Sequence, residues 1–87
     1  MEYVYVLTSE TDGLFYTGLT SNLKRRLAKH NSGEVPSTKH RVPLRLVYYE
    51  ACLSRADAAA REKYLKTGMG KRYIKNRLKD FIGGSSR

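Results

Sequence analysis

The sequence contains one cysteine, no tryptophan and no long hydrophobic run. A single cysteine, Cys52, excludes an internal disulfide and is typical of proteins of the reducing cytosol, so we expect a cytoplasmic protein. Zinc is commonly bound by Cys and His, and the only histidines are His30 and His40. The spacing of Cys52, His30 and His40 does not suit a zinc site. No apolar run approaches the roughly 18 residues that span a bilayer, and no N-terminal signal pattern is present, so no membrane segment is expected.

Acidic residues are also scarce, with 8 Asp and Glu against 17 Lys and Arg, and the net charge is +9. So large an excess favours a polyanionic partner, because each phosphate contact releases condensed counterions. Nucleic acid is favoured over acidic lipid, since no strongly apolar helix face accompanies the basic residues. The 7 tyrosines suit a nucleic-acid surface and equally an ordinary core. The length predicts a single domain over residues 1–82 with a thin core, followed by a flexible tail over residues 83–87.

A hairpin is predicted near the start of the chain. Residues 3–7 form a short apolar run with β-branched and aromatic side chains, and residues 14–19 form a second one. The segment between them has turn chemistry, with Asp12-Gly13 as its strongest element. The two runs should therefore pair as antiparallel strands.

The expected register of this hairpin brings two phenols together. Tyr5 lies opposite Tyr16, and Tyr3 lies opposite Gly18, with the Cβ atoms of facing residues about 5 Å apart. Both tyrosines of the first pair then project from one face of the sheet. The glycine beside them permits another group to approach closely.

A helix over residues 23–31 adds positive charge to that face. Residues 20–22 offer an N-cap. At about 100° per residue, one side of the helix carries Leu23, Arg26, Leu27 and His30. The remaining surface carries Lys24, Arg25, Ala28 and Lys29. Packing through the leucines brings Arg26 and His30 to the edge of the contact, where hydroxyl, guanidinium and imidazole groups can converge.

The middle of the chain predicts a loop and a third strand. Residues 31–38 are polar and punctuated by glycine and proline, and they indicate a loop. Pro43 precedes a strand over residues 44–50, where alternation puts Leu44, Leu46 and Tyr48 on one face. Because the other face also carries apolar residues, we predict that this strand is central in the sheet.

Two helices complete the predicted fold. One begins at Ser54, whose spacing to Asp57 resembles a capping box, and ends at Gly68, which suits a left-handed C-cap. A third, basic helix is predicted over residues 71–80. The spacing in the second helix puts Glu62 beside the apolar stripe. An acid there extends to water, forms an ion pair with a base such as Lys66, or holds a metal. Spacing alone favours the ion pair.

Taken in order, the tyrosines and charged residues resemble the signature of the GIY-YIG nuclease superfamily. Tyr3-Val4-Tyr5 stands at the first triplet and Tyr16-Thr17-Gly18 at the second. The similarity continues through residues 22–33. Residues 60–63 match the segment of family members that bears their metal-binding glutamate. The whole resemblance extends over about residues 3–82. The chain is most similar to small stand-alone members, which resemble the nuclease modules of bacterial excision repair and of homing endonucleases.

The resemblance implies an α/β (α+β) fold: a three-stranded antiparallel sheet flanked by helices in the order β-β-α-β-α-α. It also implies a metal-dependent endonuclease that hydrolyses DNA, as in DNA repair, with weak or structure-guided specificity and one divalent ion, Mg²⁺ or Mn²⁺. A protein partner is one candidate source of specificity. The alternative is a non-catalytic DNA- or RNA-binding module on the same fold.

By the same resemblance, five residues carry the chemistry. Tyr5 is the general base or positions the water, and Tyr16 bonds the water or the phosphate. Arg26 stabilises the pentacoordinate phosphate, and His30 transfers a proton or orders the tyrosine. Glu62 holds the metal. Taken singly, both tyrosines are more typical of core or strand-pair aromatics, and Arg26 is more typical of a solvated helix charge. His30 alone is typical of a helix end, where it interacts with the C-terminal dipole. A phenol of pKa about 10 is a poor base at neutral pH. We expect Arg26 and its basic neighbours, together with the metal, to favour the phenolate.

A second set of residues is predicted to contact nucleic acid. Lys39, His40 and Arg41 stand in the loop before the third strand, which is a DNA-contacting lip or simply a solvated connection. The other members of this set lie in the first and last predicted helices: Lys24, Lys29, Lys71, Arg72, Lys75 and Asn76.

Overall fold

A computed structural model describes residues 1–83 of the chain. Its elements follow one another as β1 (Glu2–Ser9), β2 (Phe15–Thr20), α1 (Leu23–Asn31), β3 (Leu44–Cys52), α2 (Arg55–Leu65), α3 (Gly68–Arg77) and α4 (Lys79–Gly83). The α+β fold with the order β-β-α-β-α-α is confirmed, and the short helix α4 follows α3. Within the described residues, no helix is long and apolar enough to cross a membrane.

The three strands form an antiparallel sheet in the order β2-β1-β3, so β1 is the central strand and β3 lies at an edge. The prediction that the third strand is central was wrong. Strand order depends on pairing between distant segments, and the apolar residues of β3 are explained by helices that cover both faces of the sheet. β1 has the buried pattern of a central strand, with Val4, Tyr5, Val6 and Leu7 all buried.

The hairpin register also differs from the prediction. Tyr5 pairs with Gly18 and Tyr3 with Thr20, a shift of two residues. The turn is longer than expected because the Ser9 hydroxyl accepts hydrogen bonds from the amides of Thr11 and Asp12. A shift of two residues leaves every side chain on its predicted face.

An irregularity in β3 changes the predicted faces of that strand. Val6 pairs with Tyr48 and Leu7 with Leu46, which makes Val47 an extra residue in the ladder. Leu46 therefore packs on one side of the sheet, while Tyr48 packs on the other. The prediction that Tyr48 shares a face with Leu44 was wrong, because a bulged residue shifts the alternation of the strand.

The core has two halves, one on each face of the sheet. On the first face, α1 covers Tyr5, Leu7 and Leu44 through its two leucines. On the second, α2 and α3 cover Val4 and Val6 with three buried side chains of their own: Ala58, Leu65 and Ile74. We call these the α1 face and the α2–α3 face.

The caps of the helices explain where the helices begin. The side chains of Asn22 and Ser54 accept the amides of Arg25 and Asp57, as predicted for α1 and α2. α1 has the predicted bounds.

The junction after α2 differs from the prediction. Thr67 caps α3 by accepting the amide of Gly70, and Gly68 is the first residue of α3. The predicted left-handed C-cap at Gly68 was therefore wrong, and α3 begins three residues earlier than predicted. Gly70 permits the close approach of the two helices, since a Cβ there would meet the Tyr64 carbonyl oxygen.

The end of the chain was assigned to a flexible tail over residues 83–87. Gly83 is instead the last residue of α4. Residues 84–87 lie outside the described residues.

Candidate functional site

Tyr5 is the centre of a polar cluster on the α1 face. Its side chain is 1% exposed and crosses β2 at Gly18, where a Cβ would lie 2.3 Å from the phenol oxygen. The glycine is required here because only its missing side chain leaves room for the ring. Tyr5 therefore reaches the β2 edge of the sheet from a strand in the middle of it.

Two residues of α1 bind the Tyr5 hydroxyl. Arg26 Nε donates to the phenol oxygen at 3.3 Å, and His30 Nε2 lies 2.8 Å from the same oxygen. Tyr16 completes the cluster through ring packing, with its centroid 5.1 Å from that of His30 and 6.4 Å from that of Tyr5. The four predicted residues of this face are thus brought together.

The far side of the imidazole bonds to a residue that the sequence prediction missed. His30 Nδ1 lies 2.7 Å from Thr38 Oγ1, and both residues are 0% exposed. Thr38 belongs to the polar loop between α1 and β3, where nothing in the local pattern distinguishes a buried threonine from a solvated one. Asn31 fixes the ends of this loop, because its side chain donates to the carbonyl of Leu44 and accepts from its amide.

The protons of this chain of groups depend on the tautomer of His30. Arg26 can only donate, so the phenol oxygen accepts from it, and in the tautomer protonated at Nδ1 the phenol donates to His30 Nε2. The other ring nitrogen then carries the imidazole proton and donates to Thr38. Burial lowers the pKa of His30 to about 4, assisted by the positive charge of Arg26, so the ring is neutral at physiological pH.

Without a metal, the pKa of the Tyr5 phenol shifts in the direction opposite to the one expected from its basic neighbours. Burial of Tyr5 raises the pKa of its phenol, and this outweighs the Arg26 hydrogen bond and charge, which lower it. The nearby groups Tyr16 and Glu62 add to the increase. The basic neighbours on α1 are exposed to water, and the desolvation of the phenol is the larger effect.

Glu62 approaches the cluster from the α2–α3 face. Its carboxylate acts on the Tyr5 phenol electrostatically, while its side chain, 23% exposed, forms an ion pair with Lys66 at 3.2 Å. The predicted ion pair with Lys66 is confirmed, and the metal role of Glu62 stays a prediction. Lys66 also lines a small groove of about 220 Å³ that includes Tyr16 and Lys71 at the β2 edge.

The donor set fits a single divalent ion of the Mg²⁺ type. Glu62 offers hard carboxylate oxygens that water can reach, and Mg²⁺ is commonly held by one or two carboxylates together with waters and substrate phosphate. Among the described residues, no three His, Cys, Asp or Glu side chains gather into a metal cage. Such a site would depend on substrate oxygens to complete its coordination.

Positive charge surrounds Arg26 in a shallow groove that we call the basic groove. It is lined by Thr20, Ser21, Asn22, Arg25, Arg26 and Lys29. Of these, Lys29 was predicted to contact nucleic acid, and Arg25 was missed although it adjoins Arg26 in the sequence. α1 carries no acidic side chain in its first turn.

The other predicted contact residues are distributed over the surface. Lys39 and His40 are exposed, but Arg41 is already engaged, since its guanidinium bonds both carboxylate oxygens of Asp12 and the carbonyl of Leu14. This pair lowers the pKa of Asp12 and ties the hairpin turn to the loop that bears Thr38. Lys24 lines a groove on the opposite flank of α1.

Of the basic residues predicted on α3, Lys71 lies beside Tyr16 in the small groove at the β2 edge. Lys71 and Lys75 line a groove with Phe15 and Phe81, and Arg72 is exposed. Asn76 is exposed on the same helix and, within the described part of the chain, makes no hydrogen bond to the Tyr5 cluster.

Comparison with known proteins identifies the family of the chain. The model of the GIY-YIG catalytic domain matches residues 1–79. A UPF0213 protein of Clostridium perfringens is 42% identical over 67 residues, which cover 76% of this chain and 71% of that protein. A UPF0213 protein of Desulfotalea psychrophila is 41% identical over 66 residues, covering 74% of this chain and 59% of that protein. A UPF0213 protein of Streptococcus pneumoniae is 42% identical over 65 residues, covering 74% and 65% respectively.

No solved structure matches the chain. The names of the three relatives state no reaction, so the family model carries the assignment. The match over residues 1–79, together with the fold and the tyrosine-centred cluster, shows that the chain belongs to the GIY-YIG catalytic domain family, a family of nuclease type.

Proposed function

We propose that this protein is a metal-dependent DNA endonuclease that hydrolyses phosphodiester bonds with weak or structure-guided specificity. The observation that carries the proposal is the phenol oxygen of Tyr5, which bridges Arg26 and a neutral His30 within reach of the charge of Glu62. A cation, a neutral proton acceptor and a carboxylate are groups that can together promote phosphodiester hydrolysis. The single cysteine is the ground for proposing that it acts in the cytoplasm.

The hydrogen-bond chain suggests how a water could be activated. A water bonded to the Tyr5 oxygen can pass its proton to that oxygen, while the phenol proton moves to His30 Nε2. The hydroxide formed attacks the phosphorus as the bond to the leaving oxygen breaks, and the leaving oxygen takes a proton from solvent. In the free protein the transfer to His30 is unfavourable, because burial and the charge of Arg26 depress the basicity of the imidazole. A substrate phosphate at Arg26 neutralises that charge, so arrival of the substrate makes His30 a better acceptor.

The remaining groups stabilise charge. Arg26 faces the basic groove, where it can donate to the phosphoryl oxygens that become more negative in the transition state. Glu62 would hold the divalent ion, which supplies positive charge to the phosphate and the leaving oxygen when bound. Tyr16 packs on the imidazole and can bond the water or a phosphate oxygen.

A plasmid assay tests the proposal. Supercoiled DNA is incubated with the parent, Tyr5→Phe and Glu62→Gln in Mg²⁺ or Mn²⁺, with Lys63→Gln as a matched control that removes an exposed charge from the residue next to Glu62. Tyr5→Phe keeps the ring and removes both hydrogen bonds, so the nicking rate should fall by about 100-fold or more. The control should cut at the parental rate.

Two results would contradict the proposal. The first is a parent that binds DNA but does not nick it in any divalent ion, which would favour the non-catalytic binding module. The second is nicking that survives both Tyr5→Phe and Glu62→Gln unchanged. Competition between DNA and RNA at fixed salt then identifies the preferred nucleic acid.

A further inference from the structure

A second groove, of about 580 Å³, lies on the α1 face on the other flank of α1 from Arg26. Its floor includes two tyrosines, Tyr3 of β1 and Tyr49 of β3, so we call it the aromatic groove. The two rings form an edge-to-face pair with centroids 6.0 Å apart. Neither the fold nor the proposed chemistry accounts for this pair.

Exposure distinguishes Tyr49 from the buried Tyr5 of the cluster. Tyr49 is 53% exposed, although it pairs directly with the buried Tyr5 on the neighbouring strand. Burial of an aromatic side chain is favourable, so the half-exposed ring of Tyr49 on the edge strand β3 leaves apolar surface available to a ligand. Leu23, Leu27 and Leu46 continue this apolar floor.

The rim of the groove is polar and positively charged. Lys24 stands on one side, and Ser21 and Asn22 stand at the end of the groove. The same two residues, Ser21 and Asn22, also line the basic groove. The two grooves therefore meet at the start of α1, and a strand of nucleic acid with a phosphate at Arg26 can direct a neighbouring base towards the tyrosines.

We infer that the aromatic groove binds an unpaired nucleobase of the DNA strand whose phosphate occupies the basic groove. This inference rests on the proposed function for the identity of the polymer. Stacking on tyrosine requires an open base face, which a base inside a regular duplex does not present. Lys24 and the absence of acidic residues in α1 favour a polyanion over an apolar peptide as the occupant. The groove thus selects DNA that contains single-stranded or branched segments.

The absence of tryptophan from the sequence permits a direct test. In Tyr49→Trp, the only indole of the protein stands in the aromatic groove, and a stacked nucleobase should quench its fluorescence. Tyr64→Trp is the matched control, since Tyr64 is a part-exposed tyrosine on α2. Both variants are titrated in EDTA with a short single strand, the same strand with abasic sites throughout, and a blunt duplex, while anisotropy of labelled DNA reports binding.

The expected result is that the single strand alone quenches the indole fluorescence of Tyr49→Trp, while the fluorescence of Tyr64→Trp does not change. Tyr49→Ala should weaken single-strand binding by about 5- to 50-fold, and Tyr49→Phe should retain it, because stacking uses the ring and not the hydroxyl. Equal quenching of Tyr49→Trp by the abasic strand or the duplex overturns the inference. Three other results also overturn the inference. They are an indole signal of Tyr49→Trp that stays constant while DNA binds, an affinity of Tyr49→Ala equal to that of the parent, and a parent protein that does not bind single strands.

These results are separable from those of the plasmid assay. Nicking without quenching leaves the nuclease proposal intact and refutes the nucleobase site. Quenching without nicking in any divalent ion supports the site and refutes the nuclease. Circular dichroism and thermal unfolding of each variant show whether lost binding reflects lost fold.

Discussion

Gly18→Ala is the sharpest perturbation of the Tyr5 cluster, because it adds one methyl group where the phenol crosses β2. The new Cβ would lie 2.3 Å from the phenol oxygen and 2.4 Å from Cζ. Ordinary van der Waals contact begins at 3.4 Å, so the oxygen must move by about 1.1 Å. The rings of Tyr16 and His30 pack against Tyr5 and restrict where it can go.

The expected consequence is a large loss of rate and a modest loss of stability. A displacement of about 1 Å in a catalytic group costs about 100-fold in rate, and the nicking rate of Gly18→Ala should fall by that amount. The free energy of unfolding should decrease by only about 1–3 kcal/mol, the usual cost of an overpacked site. Urea denaturation and plasmid nicking, both at neutral pH, measure the two quantities separately.

Two other glycines serve as controls. At Gly70 a Cβ would meet the backbone of Tyr64 and Leu65 at 2.1–2.8 Å, so Gly70→Ala should destabilise the protein at least as much without contacting the cluster. At Gly68 no atom of the described residues would lie within 4 Å of an added Cβ, and Gly68→Ala should be neutral. The reasoning is refuted if Gly18→Ala cuts DNA at the parental rate, or if Gly70→Ala loses the same rate per folded molecule.

Three further predictions concern the other groups of the site. Because the pKa of His30 is lowered from 6.5 to about 4, protonation favours the unfolded chain. The free energy of unfolding should therefore fall by roughly 3 kcal/mol as the pH drops from 6.5 to 4, and His30→Gln should flatten this dependence in urea titrations. Thr38→Val should lower the nicking rate by about 10-fold and change the ¹⁵N shifts of the His30 ring, whereas Thr38→Ser should preserve both because it retains the hydroxyl. Identical ¹⁵N shifts in the two variants would contradict a proton on His30 Nδ1. Lys66→Gln frees Glu62 from its ion pair and should lower the Mg²⁺ concentration for half-maximal nicking by about 2- to 5-fold, while Glu62→Gln should raise it. If the parent and the two variants require the same Mg²⁺ concentration, Glu62 does not bind the metal.

Local chemistry was sufficient to predict most elements of this fold. The bounds of α1 follow from its capping residue and from the spacing of its leucines, and Ser54 marks the start of α2 in the same way. The convergence of Tyr5, Tyr16, Arg26 and His30 could also be predicted, because an error of two residues in the hairpin register preserves the face of every side chain.

What could not be predicted depends on contacts between distant segments. The position of β1 at the centre of the sheet is fixed by its pairing with β3, which no local pattern specifies. The burial of Thr38 is fixed by His30 and by the Asn31 clamp on Leu44. The raised pKa of Tyr5 follows from desolvation, and the predicted charges alone gave the opposite direction.

The separation of the core into two halves has a consequence for how relatives of this protein should be interpreted. Val4, Val6, Ala58, Leu65 and Ile74 pack together without any of the Tyr5 cluster, so the cluster can be dismantled while much of the scaffold persists. Similarity of fold among such small domains is therefore no guide to whether a given member cuts its substrate. Two features of a relative are more informative about its activity: a glycine opposite the central phenol, and a hydroxyl group bonded to the far side of the imidazole.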